Sequence, residues 1–190
     1  MVPLTVQAHQ LLLEHLSRGD VVIDATAGNG YDTLFLAEQV GPEGYVLAID
    51  LQSQACDSCQ QKVAEREFCQ VEIHCRNHAE LETILPHERH GQVAAVMFNL
   101  GYLPGGDKSV VTVGETTRSA LSAALNVLRE GGVISILVYR GHAGGNEEAA
   151  AVGAWMEEAL RQGHSQLYQS PANSPISPVL MLVRKRIHST

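Results

Sequence analysis

Short apolar runs alternate with longer stretches whose apolar residues recur at helical spacing, from near residue 20 to the end of the chain. Residues 21–25, Val-Val-Ile-Asp-Ala, form a continuous apolar run broken only by Asp24 and predict a buried strand. Residues 31–40 predict a helix, with Leu34, Phe35 and Leu36 on its apolar side. Gly41-Pro42-Glu43-Gly44 is turn chemistry, and a second strand follows at 45–49. The same reading predicts a helix over 52–67, a strand over 71–74, a short helix near 80–85 and a strand over 93–98. Ala120, Leu121, Ala124, Leu125 and Leu128 mark a long helix over 115–129, and Gly131-Gly132 is placed to end it. A strand over 133–139 and a helix over 146–161, capped by Asn146, come next. The tail predicts two strands, 164–169 and 179–184, joined by a turn rich in Pro, Ser and Asn.

Strand–helix alternation implies a mostly parallel sheet covered by helices on both faces. Two closing strands without a helix between them imply an antiparallel hairpin at one edge. Seven strands in this order predict an α/β, Rossmann-like fold, and with the terminal hairpin the pattern resembles that of class I methyltransferases. A further helix over 5–16 precedes the first strand. Residues 1–190 therefore read as one domain, with 1–18 as a helical extension.

The composition supports an ordinary globular chain: 45% hydrophobic and 18% charged residues in 190. No apolar run is long enough to cross a bilayer. The start, Met1-Val2-Pro3-Leu4-Thr5, lacks the basic and apolar regions of a signal peptide, which predicts a cytoplasmic protein without a membrane partner. Cys56, Cys59, Cys69 and Cys75 then read as reduced structural thiols. His87-Glu88-Arg89-His90 lacks the i, i+4 His pair of a zinc helix, and no metal site is expected. The formal net charge of −8 argues against non-specific binding to a polyanion but leaves room for a local basic patch.

The chemistry concentrates after the strands. In an open α/β sheet, ligands bind beyond the carboxyl ends of the strands at the switch point. The first such loop is Asp24-Ala25-Thr26-Ala27-Gly28-Asn29-Gly30, followed by Tyr31-Asp32-Thr33 at a helix N-terminus. Gly28 and Gly30 allow close approach of a ligand. A dinucleotide fingerprint requires a third small residue where this chain has Thr33. Asp24 would repel a pyrophosphate and attract an ammonium group, so the loop favours S-adenosylmethionine over NAD. Asp50 ends the second strand about 20 residues later, where a carboxylate accepts ribose hydroxyls, with Gln52 close by. Asn77 and His78 follow the third strand, either facing an adenine edge or capping the next helix.

After the fourth strand comes Asn99-Leu100-Gly101-Tyr102-Leu103-Pro104-Gly105-Gly106-Asp107-Lys108. It looks like a variant of the N-P-P-Y loop of amino methyltransferases. Amide and backbone oxygens there can accept N–H bonds from an incoming amine and aim its lone pair, and Tyr102 can stack on a planar base. Asn99, Tyr102 and His142 are the candidate catalytic residues. Leu100, Gly101, Lys108 and Arg140 are the candidate substrate contacts, with Arg140 able to hold a phosphate.

Three motifs together, D-A-T-A-G-N-G-Y-D-T, N-L-G-Y-L-P-G-G-D-K and Y-R-G-H-A-G-G, resemble the bacterial "putative rRNA methylase" family over nearly the whole chain. Members of that family are assigned to the tRNA wobble methyltransferase that converts 5-aminomethyl-2-thiouridine to its methylaminomethyl form. The resemblance implies S-adenosylmethionine as donor, a tRNA anticodon loop as substrate and a possible homodimer. It also implies Asn29 and Asp32 as cofactor contacts, Asp50 and Gln52 as the ribose pair and Asn77 and His78 as the adenine-side pair. The alternatives are an rRNA or small-molecule methyltransferase, or a non-catalytic S-adenosylmethionine-binding protein.

Overall fold

A computed structural model of the protein describes residues 2–101, 112, 114–141 and 143–188. Helix α1 (Leu4–Leu12) precedes β1 (Val21–Asp24), α2 (Tyr31–Val40), β2 (Tyr45–Asp50), α3 (Ser53–Glu65) and β3 (Val71–Cys75). A 3-10 turn at His78–Glu80 leads into α4 (Leu81–Ile84) and then β4 (Val93–Leu100). Helix α5 (Gly114–Val127), β5 (Leu128–Val138), α6 (Gly145–Arg161), β6 (Ser165–Gln169) and β7 (Val179–Arg184) complete the order. The seven strands form one sheet in the order β3-β2-β1-β4-β5-β7-β6. β1 to β5 pair in parallel, and β7 pairs antiparallel with both β5 and β6.

Alternation along the central strands builds two cores. Ile23, Val96, Phe98, Leu100, Ile134, Ile136 and Val138 face Leu121, Leu125, Val152 and Trp155 of α5 and α6. Val22, Ala95, Met97, Val133 and Leu137 face Ala8, Leu12, Leu36 and Val40 of α1 and α2. The central strands are buried on both faces, which is why they read as continuous apolar runs. Among the described residues no helix is long and apolar enough to cross a membrane.

The structure corrects two local expectations. Gly131-Gly132 does not end α5, which stops at Val127. The pair lies inside β5, where Gly131 adopts φ 73° and the pairing with β4 shifts register. Carbonyls at the helix end are met instead by the Gly91 amide, 2.9 Å from the Val127 oxygen, and by Lys185 Nζ, 2.7 Å from the Leu128 oxygen. Asn146 does not cap α6. The helix starts one residue earlier behind left-handed Gly144, and Asn146 lies on its exposed side.

Candidate active site

The order β2-β1-β4 puts the switch point at the end of β1, between strands whose connections leave in opposite directions. The loop leaving β1 is stitched to both neighbours: Ala25 N donates to Met97 O and Ala27 N to Ile49 O, each at 2.9 Å. Gly30 N then turns back to Ala27 O at 2.7 Å, and Gly30 enters α2 at φ 82°. A Cβ at Gly30 would stand 3.0 Å from the Cys59 Cα of α3, so backbone packs directly against backbone here.

Asp24 is fully buried beneath this loop. Its carboxylate accepts from the Thr33 hydroxyl at 2.6 Å and from Thr26 N at 3.2 Å. Burial first, and then the Asp32 charge, push it up to about 7. Asp24 thus shapes the loop from below, where the sequence expectation had it beside a ligand ammonium. Asp50 stands on the open side. One oxygen accepts from Gly28 N at 2.8 Å and the other from Gln52 N at 2.9 Å, which fixes the carboxylate plane and leaves each oxygen a further lone pair. Leu51, which sequence reasoning passed over, follows it as an exposed aliphatic surface against which a planar base can lie. Asn29 and Gln52 are both half-buried.

The end of β4 is held from two sides. Asn99 N donates to the Thr26 hydroxyl at 2.7 Å, and Asn99 Nδ2 donates to Asp32 Oδ2. The other Asp32 oxygen is 2.5 Å from His9 Nε2, contributed by α1. His9 in turn stacks flat on Phe35, with ring centroids 3.9 Å apart. An ionised carboxylate only accepts hydrogen bonds, so its presence makes Asn99 point its NH2 inward and leaves its carbonyl oxygen as the available acceptor. Sequence reasoning singled out Asn99 and Asp32 separately. It missed His9, which lies in no motif and reaches the site only through folding, and it gave Thr26, a member of the loop motif, no role of its own.

Other expected residues are placed elsewhere or are already engaged. Asn77 caps the turn after β3: its side chain accepts from Ala79 N at 2.9 Å, and Glu80 completes the capping box. His78 is buried edge-on to Phe98, and burial lowers it to about 4, so its ring is neutral. Leu100 faces the core, so it does not offer its side chain to a substrate, and its carbonyl accepts from Tyr139 N at 3.0 Å. Arg140 donates to Ser177 O at 2.7 Å and to Ser174 O at 3.0 Å, tying the turn between β6 and β7 rather than standing ready for a phosphate. Tyr102, Asp107, Lys108 and His142 lie outside the described residues.

Gly101 meets Thr112 at the two ends of the intervening segment. Gly101 N donates to Thr112 Oγ1 at 2.9 Å and Thr112 N to Gly101 O at 3.0 Å. The Thr112 hydroxyl donates to buried Glu148 at 2.6 Å, and the Thr117 hydroxyl donates to the other Glu148 oxygen at the same distance. Glu148 had not been singled out from sequence, because a glutamate in the first turn of a helix reads as ordinary dipole chemistry. Burial pushes the Cys56 thiol up to about 12 and Cys59 to about 11, which fits unreactive packing thiols.

Asp32 and Asp50 flank a loop whose backbone a ligand can approach closely. Carboxylates repel a pyrophosphate and suit a ligand with an ammonium and a sulfonium, so these residues fit S-adenosylmethionine. Known proteins agree. The profile of the family described as "Putative rRNA methylase" matches residues 46–185. The chain belongs to this family. As a member, it is an S-adenosylmethionine-dependent methyltransferase. It is 40% identical over 96% of its length, and 69% of the relative's, to the chloroplastic tRNA (mnm(5)s(2)U34)-methyltransferase of Arabidopsis thaliana. A structure from Clostridium thermocellum described as a "putative rRNA-methylase" superposes with a TM-score of 0.88 at 34% identity, covering 97% of this chain and 98% of that one. A Streptococcus mutans structure described as a "putative methyltransferase" in complex with SAH has a TM-score of 0.84 at 29% identity, covering 97% and 99% of the two chains. The methylase fold therefore extends over nearly the full chain, α1 included.

Proposed function

We propose that this methyltransferase methylates the amino nitrogen of a 5-aminomethyl group on wobble (2-thio)uridine in tRNA. The observation that carries the reading is the Asn99 amide, turned by Asp32 so that its oxygen is presented at the end of β4. Kinship with the Arabidopsis wobble-uridine enzyme supports the substrate class.

S-adenosylmethionine, when bound, supplies an electrophilic methyl on a sulfonium with a good leaving group. Asp50, Gln52 and Leu51 would hold its nucleoside end, beside the loop through Gly28, Asn29 and Gly30. Asn99 Oδ1 accepts one N–H of the incoming amine and aims the nitrogen lone pair. Orientation of this kind supplies roughly 7–11 kcal/mol of a barrier. The amine must be neutral to attack. For an amine with a pKa near 10, that costs about 4 kcal/mol at pH 7. A neutral amide acceptor suits this need, because it binds N–H without stabilising an ammonium as a bare carboxylate would. Both Asp32 oxygens are already bonded, one to His9 and the other to Asn99.

Leu100, Gly101 and Arg140 are engaged within the fold, so Tyr102, Lys108 and His142 are the proposed contacts to the wobble nucleotide. A homodimer would widen the footprint on the anticodon stem, and a cytoplasmic location would give the enzyme access to tRNA. Nucleoside mass spectrometry of tRNA from a deletion strain tests the reading: the methylaminomethyl nucleoside should vanish and its aminomethyl precursor accumulate. Unchanged tRNA with a methyl lost from rRNA instead would replace the substrate.

A further inference from the structure

Helix α1 lies outside the strand–helix repeat that builds the cofactor site, yet one of its side chains reaches into it. Ala8 and Leu12 are buried against the sheet face that also packs α2. Gln7 accepts from the Tyr168 hydroxyl of β6 at 3.2 Å, which docks the helix further. His9 sits beside this buried face. Its ring is held parallel to Phe35 within 2°, and its side chain keeps a quarter of its surface open. The two contacts fix both the ring plane and the direction of Nε2. Nε2 meets Asp32 Oδ1, and Asp32 Oδ2 receives the Asn99 amide.

We infer that His9 is a positioning residue for methyl transfer: by holding Asp32 it keeps the Asn99 carbonyl, rather than the Asn99 NH2, turned toward the methyl acceptor. The chain of contacts is His9 Nε2 to Asp32 to Asn99, drawn from α1, α2 and β4. Asp32 also lies in the first turn of α2, where the helix favours its negative charge. Without His9 the carboxylate regains rotational freedom and a site for water. The amide it orients can then turn its donor face outward, which cannot accept an N–H. This inference rests on the proposed acceptor role of Asn99.

His9→Phe keeps the stack on Phe35 and removes the hydrogen bond. His9→Gln loses the ring but keeps a donor at nearly the Nε2 position. Single-turnover methylation, at saturating cofactor and tRNA, is measured on tRNA from a strain lacking the enzyme. H9F should fall about tenfold in rate, the worth of one oriented hydrogen bond, with little change in KM for tRNA. H9Q should return to within threefold of wild type. A fall of less than threefold in H9F, or one that H9Q does not reverse, overturns the inference. SAH binding by calorimetry confirms that each variant is folded. If H9F does not bind SAH, His9→Ala with added imidazole replaces it, and absence of rescue overturns the inference.

A wild-type enzyme inactive on this tRNA would sink the substrate reading without touching His9. The Asn99 side-chain NH2 then decides by NMR. One of its protons should exchange slowly in wild type and H9Q and rapidly in H9F. Equal exchange in all three would remove His9 from the network.

Discussion

The Thr33 hydroxyl donates to the Asp24 carboxylate at 2.6 Å, joining the first turn of α2 to the end of β1 beneath the cofactor loop. Burial and the Asp32 charge nevertheless raise Asp24 to about 7, from an ordinary 3.8. Asp24 therefore binds its proton more tightly in the folded state than in the unfolded one. Its contribution to stability is complete below about pH 4 and is lost as the pH rises to about 7. His78 acts in the opposite sense, because burial lowers it to about 4 and its contribution is lost as the pH falls below 6.5. Asp24→Asn removes only the first effect. In urea titrations the stability of wild type minus that of D24N should decline between about pH 4 and pH 7 and then level. A flat difference would mean that Asp24 is not raised.

Gly19 and Gly30 share nearly the same φ, 84° and 82°, but not the same neighbours. A Cβ at Gly19 meets nothing within 4 Å, whereas at Gly30 it meets the Cys59 backbone at 3.0 Å. Gly19→Ala should cost about 1 kcal/mol for the left-handed conformation alone. Gly30→Ala should cost about 2 kcal/mol or more and weaken SAH binding as the loop shifts. Equal losses in denaturant titrations would count against the close contact with α3.

Asp50 offers charge-assisted acceptors toward the ribose position. Asp50→Ala removes these and also frees Gly28 N and Gln52 N. Hydrogen bonds to a charged group contribute about 1.5–3 kcal/mol, so SAH affinity by calorimetry should fall roughly 10- to 100-fold. An affinity within threefold of wild type would remove Asp50 from the cofactor site.

Glu148 is buried and bonded to two threonine hydroxyls, one of which also holds Gly101. Glu148→Ala leaves both hydroxyls without their acceptor and should destabilise by about 3 kcal/mol. Glu148→Gln keeps one acceptor, and its NH2 can donate to a hydroxyl oxygen, so the loss should be smaller. The expected order by chemical denaturation is wild type, then E148Q, then E148A. Methyl transfer should fall in the same order, because the Thr112–Gly101 closure follows directly on Asn99.

Much of this was legible in the residues. Helix α2 and strand β7 keep the bounds that their hydrophobic pattern predicts, since both have a sharp polar or glycine edge and a strongly apolar side. Gly131-Gly132 misled for a physical reason: glycine suits a left-handed helix end and a register shift in a strand equally well. Arg140 misled because an arginine at a strand end has the same appearance whether it awaits a phosphate or, as here, binds carbonyls of a turn 34–37 residues away.

The local sequence determined the strand–loop–helix around Asp24 to Thr33, and with it the cofactor, because those residues act on one another over short separations. Only the tertiary structure decided which of these acids faces outward. It buried Asp24, left Asp50 at the rim and set Asp32 between His9 and Asn99, residues 23 and 67 positions away from it. Burial and long-range pairing depend on how α1, α2 and β4 pack. No window of sequence contains all three.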